Sequence, residues 1–362
     1  MTSTAHRGLE PLSTQIVGSY VKPHWLARHE KMGTFDGSWW RPDAAVLDEA
    51  RRDAALLSIC EQERAGLDLV TDGEAFRAAY DRHFIAALDG IDVELLDDRS
   101  LPDETGAIRR DETGLDEFVA HARMRPRIVS PLSWRGPATE AEARFLKAQA
   151  RRPTKMTIVG AFTLYTRLSD RFYADPAEAV LALARALNHE LRAMDQAGID
   201  VLQIDEPSFH LHHARAATIG AEAIRTMIEG IEAPVLVHVC YGYAVVNRDK
   251  SWSGLYPKVL DILAGLPIAG ISLEYEQPRH QPELLAHCGD KHVVLGLLDL
   301  AAPQVEAPDH VARRIEAASR IVPAERLHPA SDCGMWYLPR GRARAKLEAL
   351  VAGRDRFRGA QA

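Results

Sequence analysis

At 362 residues, with 46% apolar and 26% charged side chains, the chain has the composition of a globular protein with a large core, which excludes disordered and fibrous classes. A formal charge of −7 without a basic stripe gives no sign of a nucleic-acid partner, and the acidic stretch from Asp97 to Asp111 reads as a solvated loop. No run approaches the roughly 18 apolar residues of a membrane span, Met1 to Thr14 lacks the apolar centre of a secretory signal, and four irregularly spaced cysteines make no disulfide framework, so a cytoplasmic protein with reduced thiols is expected.

In chain order, strands are expected at residues 14–18, 67–71, 156–160, 199–204, 235–239, 270–273, 292–297 and 327–330. Amphipathic helices are expected between most of them, at 45–65, 176–197, 214–230, 308–321 and 341–351. Asp175-Pro176 places a capping side chain before proline at a first helical position, and Gly198 follows the same helix. Eight β-then-α units predict an α/β fold, a single closed (β/α)8 TIM barrel over residues 1–362. Residues 84–152 are too long for one crossover. With a strand-like piece at 127–130 and a helix-like piece at 140–150, they are expected to form an insertion after the second strand that lies over one end of the barrel. A separate small domain is the alternative.

The chemistry starts from His238 and Cys240. Side chains two apart on a strand point the same way, so imidazole and thiol project side by side as half of a metal site. In such barrels the active site lies at the C-terminal ends of the strands. The expected strands end in Gly18-Ser19, Asp72-Gly73-Glu74, Asp205-Glu206, His238 and Cys240, Glu274, Asp299 and Asp332-Cys333. Glu274 and Cys333 therefore complete a four-ligand set, and two thiolates select zinc over the hard cations. Cys60 and Cys288 fall in helical patterns and read as buried small hydrophobes. A zinc so rich in negative ligands is a poor activator of water and better suited to holding a substrate thiol as a nucleophilic thiolate, with Glu274 moving aside. The expected reaction is attack of that thiolate on an alkyl carbon.

Six segments together resemble one family: Val17-Gly18-Ser19, Asp72-Gly73-Glu74, Gln203-Ile-Asp-Glu-Pro207, His238-x-Cys240, Ser272-Leu-Glu274 and Asp332-Cys-Gly334. The chain resembles the catalytic C-terminal barrel of cobalamin-independent methionine synthases, in a short form with one barrel. The resemblance implies a (β/α)8 fold and zinc ligands at His238, Cys240, Glu274 and Cys333. It also implies a homocysteine carboxylate held at Gly18 and Ser19 and its ammonium held by Glu74 and Asp205, which are the candidate catalytic residues as well. The partners implied are a small-molecule thiol and an alkyl donor; a homo-oligomer is compatible with this reading.

The chain departs from the family where a folate-stacking tryptophan would follow the third strand, since residues 157–163 read Thr-Ile-Val-Gly-Ala-Phe-Thr. Trp336 with Tyr337, or Trp39 with Trp40, are alternative aromatic walls. The donor is left open among folate, corrinoid and epoxide. The alternative function is an epoxide–thiol transferase or lyase of the coenzyme M type using the same zinc; a metal-free decarboxylase and a non-catalytic zinc protein are the more distant readings. His210, His212 and His213 are expected to face a substrate rather than a second metal.

Overall fold

The computed structural model describes residues 7–31, 38–97, 125–242, 250 and 254–361. In chain order its elements are α1 (Leu47–Ala65), β1 (Leu88–Asp97), β2 (Arg125–Trp134), α2 (Glu140–Gln149), β3 (Lys155–Val159), α3 (Ala161–Thr166), β4 (Ser169–Asp170), α4 (Pro176–Gln196), β5 (Val201–Asp205), α5 (Ala221–Met227), β6 (Val235–Val239), α6 (Tyr256–Ala264), β7 (Gly270–Leu273), β8 (His292–Gly296), α7 (Pro308–Ser319), β9 (Leu327–Ala330) and α8 (Arg340–Gln361), with short helical turns between them.

Strands β3, β5, β6, β7, β8 and β9 pair in that order into one parallel sheet. They are buried almost throughout, as strands covered on both faces must be. The regular sheet thus has six strands where eight were expected. Residues 14–18 and 67–71 make only isolated parallel bridges, Gln15 to Ala330 and Val70 to Thr154. The reason is side-chain substitution for ladder bonds. Gln62 of α1 takes both the N–H of Thr71 (3.0 Å) and its carbonyl (2.8 Å), and Asp68 Oδ2 accepts from Thr14 N at 2.8 Å. Thr14 O in turn accepts from the N–H groups of Asp68 and Leu69 at 3.0 and 3.1 Å, so the two segments remain neighbours.

A second sheet pairs β1 antiparallel with β2, and β2 parallel with β4. It packs on α4, where Trp134 stacks on His189 at 4.7 Å and donates its indole N–H to Glu190 at 2.8 Å. The strand-like piece at 127–130 is the middle of the longer β2. The pattern of β1 was not legible because two register shifts, between Asp89 and Ile91 and between Asp92 and Leu96, break its alternation. Asp97 is buried, not solvated, and accepts from Arg171 Nε (2.8 Å) and Ser169 Oγ (3.1 Å); residues 98–111 of that acidic stretch lie outside the described residues.

Helix α4 begins as its sequence dictates, with Asp175 accepting from Ala177 N at 2.9 Å and Pro176 in the first turn. The helix expected at 214–230 forms over residues 213–227, running without interruption from one α-helical turn at His213–Arg215 through a π-helical Ala216–Gly220 into α5. At Gly220 a Cβ would lie 2.9 Å from the Phe209 ring, and the wide turn accommodates that approach. The last helix, α8, runs to Gln361, beyond residue 351, because the buried Arg354 is tied to Leu12 O (3.2 Å) and Asp68 (2.5 Å).

The parallel sheet builds upward toward its C-terminal edge. Alternate residues face the same side, so Val201, Gln203 and Asp205 climb one face of β5. Val201 sits in an apolar cluster with Leu9, Leu69, Leu236, Val294 and Ala330. Above it, Lys155 Nζ donates to Gln15 Oε1 (2.6 Å), Ile16 O (2.6 Å) and Gln203 Oε1 (3.0 Å), and burial pushes this lysine down to about 7. Gln203 Nε2 donates onward to Val17 O (3.0 Å) and Asp205 Oδ1 (2.8 Å), linking the floor to the rim.

Candidate active site

Cys240 follows the end of β6 and Cys333 follows β9. His238, Cys240 and Cys333 bring ligand atoms within 4.8 Å of one another, all buried, and they are the one such group of three or more among the described residues. Ser272 Oγ lies 3.0 Å from His238 Nδ1, whereas the buried Nε2 has no hydrogen-bond partner. The Cys333 thiol donates to Cys240 and holds it well below the ordinary thiol range; burial opposes this and His238 assists. Cys333 is pushed well up by the same contact and by burial. Burial works against charge on His238, but Cys240 and Asp205 raise it. Two sulfurs and an imidazole nitrogen without a hydrogen-bond partner in one dry pocket fit a soft or borderline metal such as zinc.

Glu274 is not part of that triad. Its carboxylate is fully buried and forms an ion pair with Lys250, and Oε2 accepts from Tyr241 N at 2.7 Å. Burial pushes it up to about 8, with Lys250 pulling the other way. Tyr256 fixes the backbone nearby, donating to Val239 O at 2.7 Å and accepting from Glu274 N at 3.1 Å. Lys250 and Tyr256 carried no signal in the sequence, because neither stands at a strand end.

Asp205 is in register with His238 across β5 and β6. Burial pushes its carboxyl up to about 7; His238 opposes the shift and Glu74 adds to it. Glu74 accepts from Thr157 Oγ1 at 2.9 Å and is held at φ +56°, a left-handed backbone that few non-glycine residues adopt. Asp72 Oδ1 bonds Glu74 N at 2.9 Å, and the Lys22 ammonium bonds Glu74 O, which together hold that conformation. Gly18 abuts this carboxylate, since a Cβ there would lie 2.7 Å from Glu74 Oε1. Ser19 is buried, and its carbonyl accepts from Met335 N at 2.9 Å, placing it beside the segment that carries Cys333.

The remaining strand-end acids do structural work. Glu206 accepts from Thr163 Oγ1 (2.6 Å) and from the N–H groups of Thr163 (2.8 Å) and Phe162 (3.2 Å), capping α3. Asp332 takes the N–H groups of Tyr275, Glu276 and Gln277 at 3.2, 3.0 and 2.6 Å. Asp299 organises a turn through Ala301 N and Ala302 N. Cys288 is buried, with its thiol pushed up by burial to about 12, while Cys60 is only half-buried. Trp336 and Trp39 belong to one cluster, edge to face at 6.1 Å, with His29 packed against both at 5.9 and 6.1 Å. His210 packs against Tyr241 and His212 against Phe162.

The family described as "Cobalamin-independent synthase, Catalytic domain" matches residues 12–354. The chain is 29% identical over 344 residues to a methionine synthase of Thermococcus kodakarensis, covering 94% of this chain and 92% of that one. A methionine synthase of Pyrococcus abyssi is 28% identical, at 94% and 91% coverage. Among solved structures, a B12-independent methionine synthase from Shewanella sp. W3-18-1 in complex with selenomethionine superposes with a TM-score of 0.85 at 30% identity, covering 97% of this chain and 99% of that one. A Listeria monocytogenes structure at 22% identity and TM-score 0.71 shares the fold. No helix among the described residues is long and apolar enough to cross a membrane. On a family match that spans almost the whole chain, the protein belongs to the cobalamin-independent methionine synthase family and is an enzyme of that methyltransferase class.

Proposed function

We propose that the chain is a zinc-dependent thiol alkyltransferase that methylates homocysteine or a similar small amino-acid thiol. The observation that carries this reading is the pairing of two sets on one rim: the buried His238, Cys240 and Cys333, and the carboxylates of Asp205 and Glu74 beside them. His238, Cys240 and Cys333 would hold the metal, with Glu274 as the fourth candidate ligand. Zinc bound there would supply the positive charge that keeps a substrate thiol deprotonated at neutral pH.

The protein's own groups do the rest. Asp205 and Glu74 accept the substrate ammonium, and its positive charge keeps Asp205 ionised against the burial that raises its pKa. Gly18 leaves the space beside Glu74 open, and Ser19 offers its hydroxyl and backbone to the substrate carboxylate. Burial of all of these side chains excludes the water that would compete for the alkyl group. Selenomethionine, held by the Shewanella relative, has the same chemical parts: an ammonium, a carboxylate and a methylated chalcogen. A thiol that ends in a sulfonate and has no ammonium, such as coenzyme M, would meet two carboxylates there, which disfavours the epoxide–thiol alternative. We read residues 14–18 and 67–71 as completing the six-stranded sheet into a ring within one unit of residues 1–362, with 84–152 inserted over one end.

The test is metal content followed by thiol binding. Purified under reducing conditions, the protein should carry about one zinc per chain, and Cys240→Ser or Cys333→Ser should lose most of it. Homocysteine should then add about one scatterer to the sulfur shell near about 2.3 Å in X-ray absorption. Full zinc retention in both variants overturns the site assignment, and an unchanged shell overturns the role in binding the thiol.

A further inference from the structure

Lys155 of β3 is a fully buried cation whose hydrogen bonds all go to neutral oxygens: Gln15 Oε1, Ile16 O and Gln203 Oε1. Three acceptors suit the three N–H groups of an ammonium and favour the charged form over the burial that lowers this lysine to about 7. An amide that turns its oxygen to an ammonium must turn its NH2 the other way. Gln203 Nε2 accordingly donates to Asp205 Oδ1 at 2.8 Å and to Val17 O at 3.0 Å. Among the described residues Gln203 is the one side-chain hydrogen-bond partner of Asp205. Thr157, on the same face of β3 as Lys155, donates in the same way to Glu74 at 2.9 Å. Both carboxylates of the ammonium pocket are thus held from one strand.

We infer that Lys155 is a positioning residue that sets the preference of the site for an amino-acid thiol, acting through the orientation of the Gln203 amide on Asp205. This rests on the reading of Asp205 as an acceptor of the substrate ammonium. With the lysine in place, Asp205 receives an N–H on Oδ1 and keeps Oδ2 for the substrate. Without it, three buried oxygens lose their donor. Rotating the Gln203 amide would return N–H groups to them, and the same rotation sets its oxygen against Asp205 Oδ1 and Val17 O. The carboxylate must then turn from that oxygen and out of the position in which it meets an ammonium. The direct field of Lys155 acts in the opposite sense, since one cation repels another, so the two effects differ in sign.

The experiment measures equilibrium binding of homocysteine and of 4-mercaptobutyrate, the same thiol without the amine, to the full chain purified under reducing conditions. The ratio of the two affinities reads the ammonium contacts and is insensitive to any fraction of unfolded protein. Wild type should favour homocysteine by about 10- to 100-fold, the scale of a charged hydrogen bond. Lys155→Met, similar in length and uncharged, should lower that preference by about tenfold, and Gln203→Met should do the same. The double variant should fall no further than either single one, because both changes act on one amide. An unchanged or increased preference in Lys155→Met, or losses that add in the double variant, overturns the inference. If Lys155→Met does not fold, Gln203→Met decides: a lowered preference supports the inference and a wild-type preference overturns it. A preference that Lys155→Met keeps and Asp205→Asn loses overturns the inference alone, whereas wild type without any preference overturns the ammonium pocket as well.

Discussion

Ser272 Oγ stands 3.0 Å from His238 Nδ1, and this contact decides which ring nitrogen is left for the sulfurs. Both residues lie on neighbouring strands in register, so the orientation is set by the sheet and not by a loop. A ligand histidine whose other nitrogen is held keeps one tautomer and one ring angle. Ser272→Ala should therefore weaken zinc binding by about 10- to 100-fold without unfolding the protein. Chelator competition measures the affinity and circular dichroism checks the fold; an unchanged affinity would show that the ring needs no such support.

Asp205 and Glu206 are adjacent in sequence but have separate jobs. Asp205→Asn should leave stability nearly unchanged and weaken homocysteine binding by about 1 to 3 kcal/mol, the cost of losing a charged hydrogen-bond partner. Coenzyme M binding should not fall with it. Glu206→Ala strands three donors at the start of α3 and should lower stability by about 2 to 4 kcal/mol. Urea unfolding and equilibrium binding on both variants separate the roles, and equal binding losses for both thiols would remove Asp205 from the ammonium pocket.

His328 is buried low in the parallel sheet between Ser13 Oγ (2.9 Å) and His292 Nδ1 (2.8 Å), and burial pushes it down to about 3. The unfolded chain binds a proton there near pH 6.5, whereas the folded chain does not until about pH 3. Its contribution to stability is therefore complete above pH 6.5 and is lost progressively as the pH falls toward 3. Between pH 7 and 5 wild type should lose about 2 kcal/mol more than His328→Gln. Urea midpoints at the two pH values measure this, and acid release of zinc affects both proteins alike. Parallel losses would place the acid sensitivity elsewhere.

The identity of the alkyl donor turns on the aromatic residues near the site. A methyl group on a tertiary amine is a poor electrophile, so an enzyme using it must position and protonate that nitrogen. Residues 157–163 supply no tryptophan for a pterin ring, and the tryptophans near Cys333 pack against one another. Turnover with free methyltetrahydrofolate and homocysteine should be poor, and a smaller, more activated or protein-delivered donor should react faster. Steady-state assays with the mono- and triglutamate, methylcobalamin and a simple epoxide decide this. A kcat/KM of about 10⁴ M⁻¹s⁻¹ or more with the triglutamate would restore the folate reading.

What the sequence by itself determined was local and periodic. The six regular strands of the parallel sheet, the start of α4 at Asp175-Pro176 and the pairing of His238 with Cys240 all follow from spacings of two or 3.6 residues and from one capping side chain. Tertiary structure decided whatever depends on a distant partner. Gln62 and Asp68 take the backbone groups that would have made residues 14–18 and 67–71 regular strands, and Asp205 differs from Glu206 only because α3 begins where Glu206 can reach. Sheet order carried Cys333 to His238 and Cys240, and Lys250 met Glu274 through a chain path with no period to read. The physical reason is range: propensity and periodicity act over a few residues, whereas a buried charge or a free backbone group takes whichever partner the finished fold brings within about 3 Å.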